Sequence, residues 1–240
     1  MRTQMQTIAV IDFETTGSSP GQGARATEIA AVLVQGGRIV GQYQSLMNSG
    51  AWVPPFIEQL TGISNAMLAD APPAEQVMQQ VLRFTQGCPL VAHNAAFDRG
   101  FWRAEAERAG CDADPAHAFA CTVRLSRRLY PQAPNHRLGT LASWHRLPDN
   151  GRAHRALADA CTTAQLLLLI QQDLARRLGR RVDHGLLCEL QQAPVAQLDR
   201  CLARVRSRAA TGPDLPGDAH GDAADPASSP PSTSNSAPVT

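Results

Sequence analysis

Apolar residues crowd positions 7–13, and acidic side chains, Asp12 and then Glu14, arrive only at the end of that run. The pattern predicts a buried central strand. Residues 28–35 and 38–47 are two further strand candidates, joined at Gly36-Gly37, a hairpin turn signal. Residues 72–86 read as a helix, with Pro72 and Pro73 at its entry and Val77, Val81, Leu82 and Phe84 as its apolar positions. A short strand at 89–92 precedes a helix over about 97–109 that stops at Gly110, and 118–123 predicts a fifth strand. Two more helices follow, near 137–144 and over about 156–178. Three early strands, then alternating helix and strand, predict a mixed α/β sheet with helices on both faces.

Beyond Gly179 the pattern changes. Arg176, Arg177, Arg180 and Arg181 form a basic cluster, and Leu186, Leu187, Leu190, Val195, Leu198, Leu202 and Val205 predict one or two short amphipathic helices. Packing on the preceding domain is the plainer expectation for them. A docking element for a partner and an added phosphate-binding edge are the alternatives. From Thr211 onward Pro, Gly, Ser, Asp and Ala dominate with no aromatic residue, so the tail is expected to be disordered.

Composition narrows the chemistry. All 22 basic residues of the 240 are arginine, and the net charge is +1. The last thirty residues hold four aspartates and no arginine, so residues 1–210 carry 22 arginines against 17 acids, a surplus of five. A mildly basic body suits a polyanionic partner. None of the six cysteines stands in a CxxC pair, which gives no support for a zinc site or a disulfide framework and fits a reducing cytosol. Positions 1–6 are mostly polar and the apolar run after them is too short for a secretory signal. The run 166–170 is far below a membrane span, so a soluble cytoplasmic protein with no membrane partner is expected.

Three short segments concentrate the reactive residues: DFETTG at 12–17, HNAAFD at 93–98 and HRALAD at 154–159. Asp12 and Glu14 lie two apart on a strand, so both side chains leave one face, with Cα atoms about 7 Å apart. Thr15, Thr16 and Gly17 add hydroxyls and a tight turn whose amides could hold a phosphate or a terminal hydroxyl. Asp98 falls near the start of a helix, where it could serve as a cap or as a site carboxylate. His154 and Asp159 are five apart, about 140° around a helix, so a regular helix cannot aim both at one point. His154 is therefore expected in the loop after Asp149-Asn150-Gly151, with Asp159 in the first turns of the next helix. Carboxylates gathered from such distant segments converge mainly around a divalent cation.

The order and spacing of Asp12, Glu14, Asp98, His154 and Asp159 resemble the DEDDh exonucleases, the family that contains the proofreading epsilon subunit of bacterial DNA polymerase III. The resemblance covers roughly residues 7–175 and implies a ribonuclease H-like, five-stranded fold. It divides the chain into an exonuclease domain at 1–180, a helical extension at 181–210 and the tail at 211–240. It implies 3′-to-5′ hydrolysis of single-stranded DNA with release of nucleoside 5′-monophosphates, in proofreading or repair. The four carboxylates would hold two Mg²⁺ or Mn²⁺ ions, Asp12 bridging both, and His154 would take the proton from the attacking water. By the same resemblance Asn94 braces its loop and Phe97 meets the terminal bases, while His93 is structural. The segment LTGIS at 60–64 makes Thr61, Gly62 and Ile63 candidate substrate residues, Thr61 standing where many relatives carry His. Thr15 and Thr16 join them. Glu28 matches an acidic position of the family's second strand, with a structural hydrogen bond as the equal alternative. An aromatic content of 5% predicts that backbone contacts outweigh base stacking. The alternatives are a 3′ exoribonuclease and an accessory subunit that binds a DNA polymerase catalytic subunit.

Overall fold

The structure, a computed structural model, describes residues 6–112 and 118–210. A five-stranded sheet of order β3-β2-β1-β4-β5 forms its centre. Strand β1 (Ile8–Thr15) pairs antiparallel with β2 (Ala26–Gln35), which pairs antiparallel with β3 (Arg38–Leu46). On its other side β1 runs parallel to β4 (Leu90–Ala92), and β4 runs parallel to β5 (Phe119–Cys121). The β2–β3 hairpin turns at Gly36 and Gly37, whose φ values of 61° and 82° are the left-handed pair that a two-residue turn between twisted strands requires.

Period-two alternation sorts β1 between two cores. Ala9, Ile11 and Phe13 face α3 (Ala74–Phe84) and α4 (Ala95–Arg108). Ile8 and Val10 face α5 (Thr122–Leu129), α6 (Leu138–His145) and the long α7 (Ala156–Leu178). Asp12 and Glu14 continue the second series, so they leave the sheet on the α7 side. The mixed α/β sheet covered by helices on both faces is thus the expected architecture.

Two departures matter for the site. The apolar stretch 118–123 is divided: the strand ends at Cys121 and α5 begins at Thr122, because Leu125 and Leu129 then fall on one buried helical face. Residues between β3 and α3, in which the sequence pattern shows no element, form α1 (Pro55–Thr61) and α2 (Asn65–Ala69) over a small core of Val53, Ile57, Ile63 and Leu68.

The C-terminal extension forms α8 (His184–Leu190) and α9 (Leu198–Ala210). Leu186, Leu187, Leu190, Leu198, Leu202 and Val205 join the core under α7, whereas Val195 is half exposed, at 50%. Gln191 also closes the β5 edge, accepting from the Cys121 N–H at 2.7 Å and donating to the Phe119 carbonyl at 2.9 Å. An open edge strand would otherwise offer those groups to another chain. The tail from Thr211, expected to be disordered, lies outside the described residues.

Candidate active site

Strand β1 ends where the sheet gives way to a cleft of about 850 Å³, lined among others by Asp12, Glu14, Thr15, Thr16, His154 and Asp159. Glu14, His154 and Asp159 each bring one ligand atom into a group whose members lie within 4.8 Å of one another. Asp98, in the first turn of α4, is 2% exposed, and its carboxylate accepts the Phe13 N–H at 3.3 Å. That bond seats it directly beneath β1, behind the cleft wall. The cap position of α4 is Asn94, so Asp98 does not cap the helix and its carboxylate is turned to β1 instead.

Electrostatics identify the hub of the group. Burial pushes the Asp12 carboxyl well above the usual range, and Asp98, Asp159, Glu14 and Glu28 all push it further. Burial, then Asp159 and Glu28, raise Glu14 to about 8 against the opposing pull of Arg155. Asp98 is raised to about 8 by burial, with a contribution from Glu14, although backbone N–H groups favour its charged form. Asp159 is raised by burial and Glu28, opposed by a hydrogen bond from the His154 N–H. Carboxylates this close, with Arg155 the one cation acting on Glu14, compete for protons unless cations neutralise them. The group that gathers ligand atoms holds two carboxylates and an imidazole, donors that suit Mg²⁺ or Mn²⁺; Asp12 lines the same cleft but neither it nor Asp98 belongs to that group.

The loop before α7 puts His154 and Asp159 together. His154 takes a left-handed φ of 61°, and its backbone N–H donates to Asp159 Oδ2 at 3.0 Å. The imidazole therefore leaves the loop rather than the helix, which resolves the five-residue spacing as expected. Asn150 pins the loop to α7 through Thr162 and Gln165, the Asn150–Gln165 amides pairing in both directions at 3.0 Å. Gly151 donates to Asp149 Oδ1 at 2.9 Å, tightening the turn.

Glu28 fixes the start of α7. Fully buried on β2, it accepts from Arg155 at 2.8 and 3.1 Å, from the Ala156 N–H at 3.0 Å and from Gln44 at 2.6 Å. Burial raises its pKa, but these donors outweigh it and leave the carboxyl below its ordinary value. The structural alternative for Glu28 is the one the geometry supports. No local pattern marks Arg155 for this role, because its partner lies 127 residues away.

The remaining predicted residues divide between cleft and scaffold. Thr15 donates its hydroxyl to the Gly17 carbonyl at 2.7 Å. Thr16 Oγ1 accepts the Arg25 N–H at 3.0 Å, while its own amide is taken by the Arg25 carbonyl, so that amide is not available to a phosphate. Arg25 is held in turn by buried Glu105, at 2.9 Å. Asn94, left-handed at φ 68°, and Phe97 line the cleft, Phe97 stacking at a tilt on Phe101 with centroids 4.9 Å apart. Asn94 stands at the N-cap of α4 with no side-chain cap bond, and its carbonyl accepts the Phe97 N–H at 2.9 Å as the helix begins. His93 is clasped between Thr122 Oγ1 at 2.8 Å and the His136 carbonyl at 3.1 Å, and burial lowers its pKa to about 4. Thr61 reaches the cleft wall, yet its hydroxyl caps α1, donating to the Ile57 carbonyl and accepting the Ile63 N–H. Gly62 and Ile63 stand apart from the lining: Ile63 is fully buried in the small core. Gly62 has φ 75°, and a Cβ there would meet the Arg152 guanidinium at 2.5 Å.

Trp52 and Phe56, 65% and 66% exposed, line the same cleft together with Leu60. Low aromatic content concealed them, since two well-placed rings count for little in a percentage. Apolar ring surface is thus exposed along this wall of the cleft.

The exonuclease family RNase_T matches residues 9–167. The chain belongs to that family. A Mycobacterium tuberculosis protein provisionally named a bifunctional exonuclease/endonuclease is 38% identical over 226 residues, covering 90% of this chain and 34% of its own. The 3′-5′ exonuclease DinG of Bacillus subtilis is 38% identical over 169 residues, 70% of this chain and 18% of its own. The PolC-type DNA polymerase III of Caldanaerobacter subterraneus is 36% identical over 167 residues, 70% of this chain and 12% of its own. This exonuclease-family chain thus spans about one third or less of the length of these relatives, at 34%, 18% and 12%. Exonuclease X, solved in complex with 5′-overhanging duplex DNA, superposes with a TM-score of 0.59 at 28% identity, over 77% of this chain and 99% of that one. The nuclease domain of 3′hExo, a DEDDh family member bound to rAMP, superposes at 0.61 with 20% identity, over 72% and 95%, and shares the fold. The mixed sheet is the ribonuclease H-like sheet of these nucleases. No helix among the described residues is long and apolar enough to cross a membrane.

Proposed function

We propose that this chain is a metal-dependent 3′-to-5′ exonuclease that hydrolyses phosphodiester bonds at the 3′ ends of single-stranded DNA, releasing nucleoside 5′-monophosphates in proofreading or repair. The observation that carries this reading is the convergence of Glu14, His154 and Asp159 at a cleft that Asp12 also lines, the Asp12 charge being opposed by the neighbouring acids. Asp12, Glu14, Asp98 and Asp159 would hold two Mg²⁺ or Mn²⁺ ions. Bound there, such ions lower the pKa of water and offset charge on the attacking and leaving oxygens.

The chain's own residues do the rest. His154, exposed at the cleft and able to reach the space beside Glu14 and Asp159, takes the proton of the attacking water on a ring nitrogen. Its backbone N–H holds Asp159 in place meanwhile. Trp52, Phe56, Leu60 and Phe97 offer apolar faces to the last bases of a strand, and Thr15 and Thr16 flank the strand end where the 3′ hydroxyl would sit. Unpaired bases are needed for such stacking, which favours a single strand over an intact duplex. The PolC-type relatives support DNA over RNA, and a polymerase catalytic subunit as a partner.

Digestion of matched DNA and RNA oligonucleotides carrying a 3′ or a 5′ label tests the reading. The wild type should release the 3′ label first, with DNA the better substrate, and both EDTA and Asp12→Ala should abolish release. Sustained cleavage by the Asp12→Ala protein would overturn the assignment.

A further inference from the structure

Charge is distributed unevenly between the sheet and the C-terminal extension. Residues 1–175 hold fourteen arginines and fourteen acids, a balance of zero. Residues 176–210 hold eight arginines and three acids, so the whole surplus of five resides there. In the sheet domain three arginines are held by buried acids, Arg25 and Arg108 by Glu105 and Arg155 by Glu28. In the extension Arg176 pairs with Asp173 and Arg208 with Glu189. Arg180, Arg200, Arg204 and Arg206 are exposed and form no ion pair among the described residues. Leu198, Leu202 and Val205 turn one face of α9 into the α7 core, which leaves Arg200 and Arg204, one turn apart, pointing outward. Like charges at that spacing repel, and nothing within the described structure neutralises them.

We propose that this arginine face is a second nucleic-acid contact, remote from the acidic cleft, that holds the phosphate backbone of the substrate on the 5′ side of the reacting end. The proposal rests on the nuclease reading for its substrate. Helix α7 begins beside the acid cluster and ends at Leu178, next to Arg180. Its length of 23 residues corresponds to about 33 Å. At about 3.4 Å per stacked nucleotide the span takes roughly ten nucleotides, so a long strand can touch both places and a very short one cannot. Arginine contacts to phosphates carry no sequence preference, as an exonuclease that moves along its substrate requires.

The test compares the full-length chain with the quadruple variant Arg180→Gln, Arg200→Gln, Arg204→Gln and Arg206→Gln. Binding of a 30-nucleotide and a 4-nucleotide oligo(dT) is measured in EDTA over a salt series, and 3′-end turnover of both is measured with Mn²⁺. The variant should bind the 30-mer about tenfold or more weakly at low salt, with a log–log salt slope reduced by about 2 to 3, since each lost phosphate contact removes about 0.7. Turnover of the 4-mer should stay within about twofold. An unchanged slope and Kd for the 30-mer overturns the proposal, as does an equal loss on the 4-mer. Loss of binding to phosphatidylglycerol vesicles with DNA binding intact would also overturn it, pointing to a lipid surface. If the wild type digests neither oligonucleotide while the 30-mer still distinguishes the two proteins, the contact stands and the nuclease reading falls.

Discussion

His154 joins an unusual backbone to an exposed imidazole. Its φ of 61° costs a non-glycine residue energy, and the hydrogen bond from its N–H to Asp159 offsets part of that cost. The left-handed turn aims the side chain at Glu14 and Asp159 without requiring it to belong to α7. His154→Ala should slow 3′-end turnover by about 10² to 10⁴, the range of a lost general base, while Mn²⁺ affinity measured by titration changes little. A matching loss of Mn²⁺ binding would make the imidazole a ligand instead. At this scale much was legible: the spacing of 154 and 159 already requires a loop for the histidine. Asp98 was less so. Its position near a helix start was visible, but its burial beneath Phe13 depends on α4 packing against β1.

The decisive element contact is the closure of α7 on β2. Arg155 and the Ala156 N–H share the Glu28 carboxylate, which fixes the helix start and, through it, Asp159. Arg155→Met would leave Glu28 buried without its cation. Stability should fall by about 3 kcal/mol in denaturant unfolding, and turnover should fall with it, because removing one partner of a buried pair strands the other charge. Adding Glu28→Gln should restore part of the stability. Full additivity of the two substitutions would argue against direct coupling. Elements with clear periodicity, such as β1, the β2–β3 hairpin and α7, were readable in advance. The short α1, α2 and α5 were not: five to eight residues give a weak period, and at 118–123 a continuous apolar run hides where strand ends and helix begins.

Over the whole molecule, the acid cluster ties stability to pH and to cations. Glu14 and Asp98, raised to about 8, and Asp12 and Asp159, also raised, bind more protons folded than unfolded. Their contribution is fully present below the unfolded carboxylate range of about 4 and is lost as pH rises toward 8. Glu28, lowered, acts in the opposite sense and loses its contribution on acidification. Four raised groups against one lowered give a clear direction. Metal-free protein should melt highest near pH 5 and lose about 5 °C or more by pH 8.5, roughly what 2 kcal/mol gives at this chain length. Mg²⁺ or Mn²⁺ should recover the loss at pH 8.5, because cations bind the carboxylates that protons have left. A melting temperature that is flat or rising with pH in EDTA would contradict this.

By itself the sequence determined the long elements, the alternation that sends Asp12 and Glu14 to one face, and the segments from which the site is drawn. These follow from periods of two and 3.6 residues and from spacing along the chain, which are local properties. Only the tertiary structure decided that Asp12 feels all the other acids, that Glu28 belongs to the scaffold, and that Trp52 and Phe56 wall the cleft. It also decided that α8 and α9 share the core of α7 while α9 presents arginines outward. Each of these depends on strand order and on packing between residues far apart in the chain, and no local pattern encodes a distance between such residues.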